Sequence, residues 1–166
     1  MNFDVSRLRS GEMIAGASAT LLLALMLLAP WYGLSGAARH TAAALGGSGS
    51  VDGFDGLTHV RWLVLVTIAT ALGLTWLQVT RRAPALPVSF SVIVTVLGLL
   101  SVLALIYRVL INVPGPDSAF ESKVGAYLGL VAACALTYGA FRSLREERPP
   151  DGSEKSIPII ELSRQV

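Results

Sequence analysis

The sequence has few charged residues. Asp, Glu, Lys and Arg make up 14% of its 166 residues, whereas about a quarter of an ordinary soluble domain is charged. Hydrophobic residues make up 53%, and the mean hydropathy is +0.63. The charges gather in short clusters between long uncharged stretches, whereas the charges of a soluble domain are spread along the chain. This distribution predicts a single membrane-embedded domain.

Residues and motifs that support catalysis are also scarce. Cys134 is the single cysteine, which excludes an intrachain disulfide and a Cys-x-x-Cys redox pair. Neither a G-x-S-x-G nucleophile elbow nor a Walker-type phosphate loop occurs. A zinc site would have to combine His40 and His59 with Asp52 and Asp55 from one glycine-rich connection, without a close histidine pair. We therefore expect no enzyme activity, no catalytic or cofactor-binding residues, and neither a metal nor another cofactor.

The basic residues are not arranged for nucleic acid. The formal net charge is +2 and the sequence pI is about 9.0. However, the arginines lie at the edges of apolar segments and form no stripe along one face. We interpret them as signals of membrane topology, with the lipid bilayer as the first partner.

Four uncharged stretches are long enough to cross a membrane, which takes about 20 apolar residues in a helix. They predict helices at about residues 13–32, 61–80, 87–111 and 124–142. Residues 1–12 are then a cytoplasmic N-terminal segment and residues 143–166 a charged, disordered cytoplasmic tail. The predicted fold class is an all-α membrane protein with four transmembrane helices in an antiparallel bundle. Trp31 and Tyr32 should lie at the headgroup level, where amphipathic rings collect.

A secretory signal peptide is the alternative interpretation of the first span. Its apolar core exceeds the roughly 7–15 residues of such signals, so we expect it to remain in the protein. Arginines near helix ends concentrate on one side of the membrane, which the positive-inside rule makes cytoplasmic. Both termini should therefore be cytoplasmic. These topology signals are Arg7, Arg9, Arg81, Arg82, Arg142 and Arg145.

Arg108 lies within an otherwise apolar run, and a charge inside a span is a functional hypothesis by default. It follows Pro87 by about 21 residues, or roughly 31 Å of helix, which places it at the outer edge of the hydrocarbon. There its guanidinium can reach the headgroups or pair with Asp117 and Glu121. We expect an interfacial anchor or a structural ion pair, with contact to an anionic ligand or lipid headgroup as the alternative.

Two helices have faces of small residues that permit close backbone approach. On the fourth helix, the face comprises Gly125, Gly129, Ala133 and Thr137. On the third helix, it comprises Ser91, Thr95, Gly98 and Ser101. We expect these faces to pack the bundle internally, while a homo-oligomer remains possible.

Proton-coupled small multidrug transporters also have four spans and use a carboxylate in the first. Here the candidate is Glu12, which precedes the apolar run and should lie at the cytoplasmic interface. A proton relay needs its carboxylate at membrane depth, so this placement opposes the assignment. An alternative function is a small channel or transporter subunit whose path is lined by hydroxyls of the second and third helices, namely Thr67, Thr70, Ser91 and Thr95.

The order of these features resembles that of small four-span membrane proteins of actinobacteria and related high-GC bacteria. The likeness rests on "LLAPWYG" at the end of the first span, "GFDGLTHVRWLVLV" before the second, and "VGAYLGLVAACALTYGAFRSLREE" in the fourth. The resemblance implies the topology and a bacterial cytoplasmic membrane, and it transfers no functional residues. We expect a non-catalytic structural or partner-binding component, with the tail and the face from Gly125 to Thr137 as contact surfaces.

Overall fold

The computed structural model describes residues 10–45, 49–80, 89–112 and 120–146. Short strands and helices occur beside the long helices. In chain order the elements are α1 (Ser10–Leu28), β1 (Pro30–Leu34), α2 (Gly36–Ala44), β2 (Ser50–Asp52), α3 (Gly53–Gly56), α4 (Val60–Thr80), α5 (Ser89–Ile106), a π-helical segment (Tyr107–Ile111), β3 (Phe120–Ser122) and α6 (Val124–Glu146).

The four long helices are long and apolar enough to cross a membrane. They form an antiparallel bundle in which α4 and α6 both flank α1, and the same two helices both flank α5. The core consists mainly of Ala, Val, Leu and Ile side chains from all four helices. The described N-terminal and C-terminal residues meet at one end, where Ser10 Oγ donates to Glu146 Oε1 at 2.7 Å. The prediction of four long apolar helices packed together is thus confirmed.

Helix ends differ from the predicted ends. The first helix ends at Leu28 rather than at residue 32, because Pro30 lacks the N–H that a continuing helix needs. The last helix continues to Glu146, so residues 143–146 are helical and not part of a tail. Residues 147–166 lie outside the described residues, as do residues 1–9.

The all-α prediction omitted a three-stranded antiparallel sheet. Its strand order is β2-β1-β3, so β1 is central. Tyr32 and Gly33 pair with strand residues on both sides, and Lys123 N donates to Trp31 O at 2.7 Å. We call the sheet together with α2 and α3 the cap. It lies at the end of the bundle where α1 and α5 finish and where α4 and α6 begin.

Trp31 and Tyr32 do not lie at a lipid surface as predicted, since both are 0% exposed. Trp31 Nε1 donates to Leu25 O at 2.8 Å, which satisfies the one polar atom of the ring. A Cβ added at Gly53 would approach the Trp31 ring to 2.5 Å, and one added at Gly129 would overlap it. The two aromatic residues therefore fasten the cap to the helices.

Candidate functional site

The small residues of α6 pack against two other elements of the same chain, β1 and α5. Gly125 lies against the carbonyl of Pro30, Gly129 against the Trp31 ring, and Ala133 is 2% exposed. A Cβ added at Gly98 of α5 would lie 2.7 Å from Thr137 Oγ1. The two small-residue faces therefore meet each other where α5 crosses α6.

The hydroxyls of the proposed polar path form contacts between or within helices. Thr67 Oγ1 and Ser101 Oγ lie 2.7 Å apart in a buried contact between α4 and α5. Thr95 donates to Ser91 O at 2.8 Å within its own helix, and Thr70 donates to the carbonyls of Val66 and Thr67. Ser91 is 1% exposed. These hydroxyls are engaged by protein atoms, which favours packing over a hydrated path.

Glu12 lies inside α1 and is 2% exposed. It lies in the first turn of the helix, and its predicted depth at the cytoplasmic interface stays a prediction. Gln78 Nε2 donates to Glu12 Oε1 at 2.6 Å. Close approach explains the burial: a Cβ on neighbouring Gly11 would come within 2.5 Å of the Ser143 backbone. Glu12 thus links α1 to α4, next to the close contact of Gly11 with α6.

The same end of the bundle carries the described topology signals. Arg142 Nε lies 2.9 Å from Glu146 Oε1 one turn later on α6, and the Arg145 guanidinium stacks over the Phe141 ring at 5.8 Å. The other predicted signals, Arg7, Arg9, Arg81 and Arg82, lie outside the described residues.

Arg108 lies in the π-helical segment, near the end of α5. It donates to Gly56 O at 3.4 Å and to Asn112 O at 3.3 Å. Glu121 is exposed on β3, and among the described residues no salt bridge to Arg108 is recorded. Asp117 lies outside the described residues. The guanidinium thus contacts α3 of the cap, a neighbour that residue spacing along one helix does not reveal.

Tyr32 also lies close to Arg108. Its hydroxyl is buried and has no hydrogen-bond partner in the described part of the chain. Burial raises the pKa of Tyr32 to about 12, and the positive charge of Arg108 partly offsets that rise. Gly56 makes room for the ring, because a Cβ there would overlap Tyr32.

Sequence reasoning treated Arg61 as a span boundary and missed its surroundings. Its guanidinium carbon lies 4.9 Å from the centroid of Phe54 in α3 and 5.5 Å from that of Trp62. Its Nε is buried without a hydrogen-bond partner in the described structure. The sequence feature that could have indicated this contact is the pair "RW" at the start of the span, which places an arginine beside an aromatic ring at the membrane interface.

An apolar groove of about 570 Å³ runs between α1 and α4. It is lined by Met13, Gly16, Ala17, Thr20, Leu72, Thr75, Trp76 and Val79. The hydroxyls of Thr20 and Thr75 donate to carbonyls of their own helices, both at 3.0 Å. The groove therefore presents mainly hydrocarbon, which suits a lipid environment.

Groups of metal-ligating side chains do not form within the described ranges. In residues 10–45, 49–80, 89–112 and 120–146, no three His, Cys, Asp or Glu side chains could jointly hold a metal ion. His40 and His59 are both exposed, the first on α2 and the second before α4.

The chemistry that the described side chains support best is anion binding at the cap end. Two arginines at the cap end have aromatic and carbonyl neighbours rather than carboxylates, so they can bind an anion.

Comparison of the chain with protein-family models, curated proteins and solved structures found no match. The chain is a mostly helical protein with four candidate membrane spans, which indicates a multi-pass membrane protein.

Proposed function

We propose that this protein is a non-catalytic component of a bacterial cytoplasmic membrane that binds a protein partner. The cap is the observation that carries the proposal. Its strands are joined by backbone hydrogen bonds, and Trp31 and Tyr32 anchor it in the core. Ordering a residue costs about 1–2 kcal/mol in backbone entropy. A connection that only joins two helices needs no such order, whereas a rigid binding surface does.

Charge supports an orientation with both termini in the cytoplasm. Arg142 and Arg145 lie at the end of α6 away from the cap. The other topology arginines lie outside the described residues, but they adjoin the same helix ends in sequence. Arginines near the cap are accompanied by the acidic residues Asp52, Asp55 and Glu121. By the positive-inside rule, the cap then faces outward.

Two surfaces remain for a partner. The small-residue face from Gly125 to Thr137 is covered by Pro30, Trp31 and α5 within the chain, which weakens its earlier assignment as a contact surface. The cap offers exposed strand residues, and the tail is the second candidate surface.

A channel or transporter role gains little support, because the hydroxyls of Thr67 and Ser101 form a hydrogen bond with each other.

Site-specific photo-cross-linking in native membranes tests the proposal. A photoreactive amino acid is placed at Asp52 on β2, at Glu121 on β3 or at Ser153 in the tail. The control position is Leu100 on α5, whose side chain is 48% exposed on a membrane span. We expect a discrete protein adduct from the cap strands, recovered again when the cross-linker is moved to the identified partner.

The pattern of adducts decides between the surfaces. A protein adduct from Ser153 alone would assign the partner to the tail, and an adduct of twice the chain mass would identify a homo-oligomer. If all four positions gave only lipid adducts, the partner-binding function would be rejected.

A further inference from the structure

Two arginines from neighbouring helices contact the same short helix of the cap. Arg61, at the start of α4, packs its guanidinium on the Phe54 ring of α3. Arg108, after α5, donates to the carbonyl of Gly56 in α3. Since α3 spans Gly53–Gly56, the two cations lie at one level of the bundle.

Both guanidinium groups retain hydrogen-bonding capacity. An arginine carries five N–H donors, and within the described ranges no acceptor is recorded for Arg61, whose Nε is buried. The two bonds of Arg108, at 3.3 and 3.4 Å, exceed the usual N–H···O range. Asp55 is exposed on α3, yet no salt bridge joins it to either arginine. Both side chains are partly exposed, so their remaining N–H donors are accessible to an external acceptor.

The depth of these arginines matches that of lipid headgroups. Arg61 is the second residue of the span Val60–Val79, and Arg108 precedes the end of the span Phe90–Ile111 by three positions. Their neighbours Trp62 and Tyr107 are 60% and 52% exposed, as expected of aromatic residues in the interfacial belt.

We propose that Arg61 and Arg108 bind the phosphate group of an anionic phospholipid at the cap end of α4 and α5. Guanidinium groups bind phosphate oxygens through paired, charge-assisted hydrogen bonds. Clustered basic side chains near the membrane surface attract acidic headgroups electrostatically. Two arginines at one phosphate group should favour a lipid with a net negative charge over a zwitterionic lipid. Because both arginines contact α3, a lipid bound to them should also stabilise the position of the cap.

Native mass spectrometry of the full chain in neutral detergent tests this site. The protein is titrated with phosphatidylglycerol or with phosphatidylcholine of the same acyl chains. The variants are Arg61→Gln, Arg108→Gln and the double variant, and the matched control is Arg39→Gln, an exposed arginine of α2 in the cap. Circular dichroism verifies that each variant is folded.

We expect phosphatidylglycerol binding to weaken about fivefold for each arginine removed, in line with the usual contribution of a basic residue near acidic lipid. Arg39→Gln and phosphatidylcholine titrations should show no comparable change. Inorganic phosphate should displace the lipid more effectively than chloride at equal ionic strength, because the arginines would hold the phosphate group itself. Equal weakening by Arg39→Gln, or unchanged binding in the folded double variant, would overturn the proposal.

Should the double variant not fold, Asp55→Asn provides an independent measurement. Removing this nearby negative charge should strengthen phosphatidylglycerol binding while leaving phosphatidylcholine binding unchanged. Weaker or unaltered phosphatidylglycerol binding in Asp55→Asn would count against the site.

Discussion

The ring of Trp31 occupies the space that the absent side chain of Gly129 leaves on α6. One residue belongs to the central strand of the cap and the other to a membrane-spanning helix. Their contact means that the sheet cannot shift relative to the bundle without opening the core. The cap and the helices should therefore unfold together.

Gly129→Ala should destabilise the protein by about 1–3 kcal/mol, the usual cost of overpacking a core. The matched control is Gly73→Ala in α4, where a Cβ meets nothing within 4 Å. That change should be neutral or stabilising by up to about 1 kcal/mol, because alanine favours helix. Denaturation in mixed detergents, followed by circular dichroism, compares the two. Similar losses at both positions would contradict the packing described.

Tyr32→Phe should leave stability unchanged or raise it by about 1–3 kcal/mol, the range for an unsatisfied buried polar group. The hydroxyl it removes is buried and lacks a partner among the described residues. Equilibrium unfolding at neutral pH provides the measurement. A clear loss of stability would indicate that the hydroxyl has a stabilising partner.

Ionisation of Tyr32 should also make stability depend on alkaline pH. Its pKa is about 12 in the folded chain and 10.0 ordinarily, so the folded state holds the phenolic proton more tightly. This contribution is complete below pH 10 and is lost as the pH rises towards 12. Ultraviolet titration should show a tyrosine step near pH 12 that is missing from Tyr32→Phe. Persistence of that step in the variant would assign it to another tyrosine.

Glu12→Ala should cost about 1–3 kcal/mol, because Gln78 Nε2 loses its acceptor in a buried environment. A double-mutant cycle with Gln78→Ala isolates the bond. We expect a favourable coupling free energy between the two positions, measured by denaturation in detergent. Additive single and double variants would show that the 2.6 Å contact contributes nothing to stability.

Thr67→Val should lower stability by about 0.6 kcal/mol, the average for a hydrogen bond between membrane helices. Thr70→Val is the control, since Thr70 bonds carbonyls of its own helix. Neither change should create or abolish solute flux in liposomes. A flux that Thr67→Val alters in folded protein would revive the channel or transporter alternative.

Cysteine accessibility tests the proposed orientation. In a Cys134→Ser background, a cysteine at exposed Asp52 should react with an impermeant maleimide in intact cells. A cysteine at exposed Arg145 should react after permeabilisation. The cysteine at Asp52 reports on which side of the membrane the cap lies, and the cysteine at Arg145 reports on the opposite end of α6. The reverse labelling pattern would place the cap in the cytoplasm.

Much of the architecture was predictable because a bilayer imposes a length on apolar segments. The spans at α4 and α6 were located closely from their flanking charges, and Pro30 is a visible stop signal for α1. The strands escaped prediction because each of β2 and β3 has only three residues. So short a strand has no sequence periodicity, and it forms because β1 lies between both partners.

Candidate sites were less predictable than the spans. Arg108 lies three residues before the end of the candidate span Phe90–Ile111, but its proximity to Gly56 depends on residues 52 positions apart in sequence. The π-helical segment also alters its direction, since each π turn accommodates an additional residue relative to an α turn. The burial of Glu12 was not predicted, because its position before the apolar run does not reveal its contact with Gln78, 66 residues later in the sequence.

The sequence by itself determined that the chain has four apolar segments of membrane-spanning length, since hydrocarbon thickness and helical rise fix that number of residues. Tertiary structure alone decided which polar groups became buried, which small residues received an aromatic ring, and which arginines lie together on α3. Those relationships join residues distant in sequence through packing, and packing is a property of how the helices are arranged rather than of any one helix.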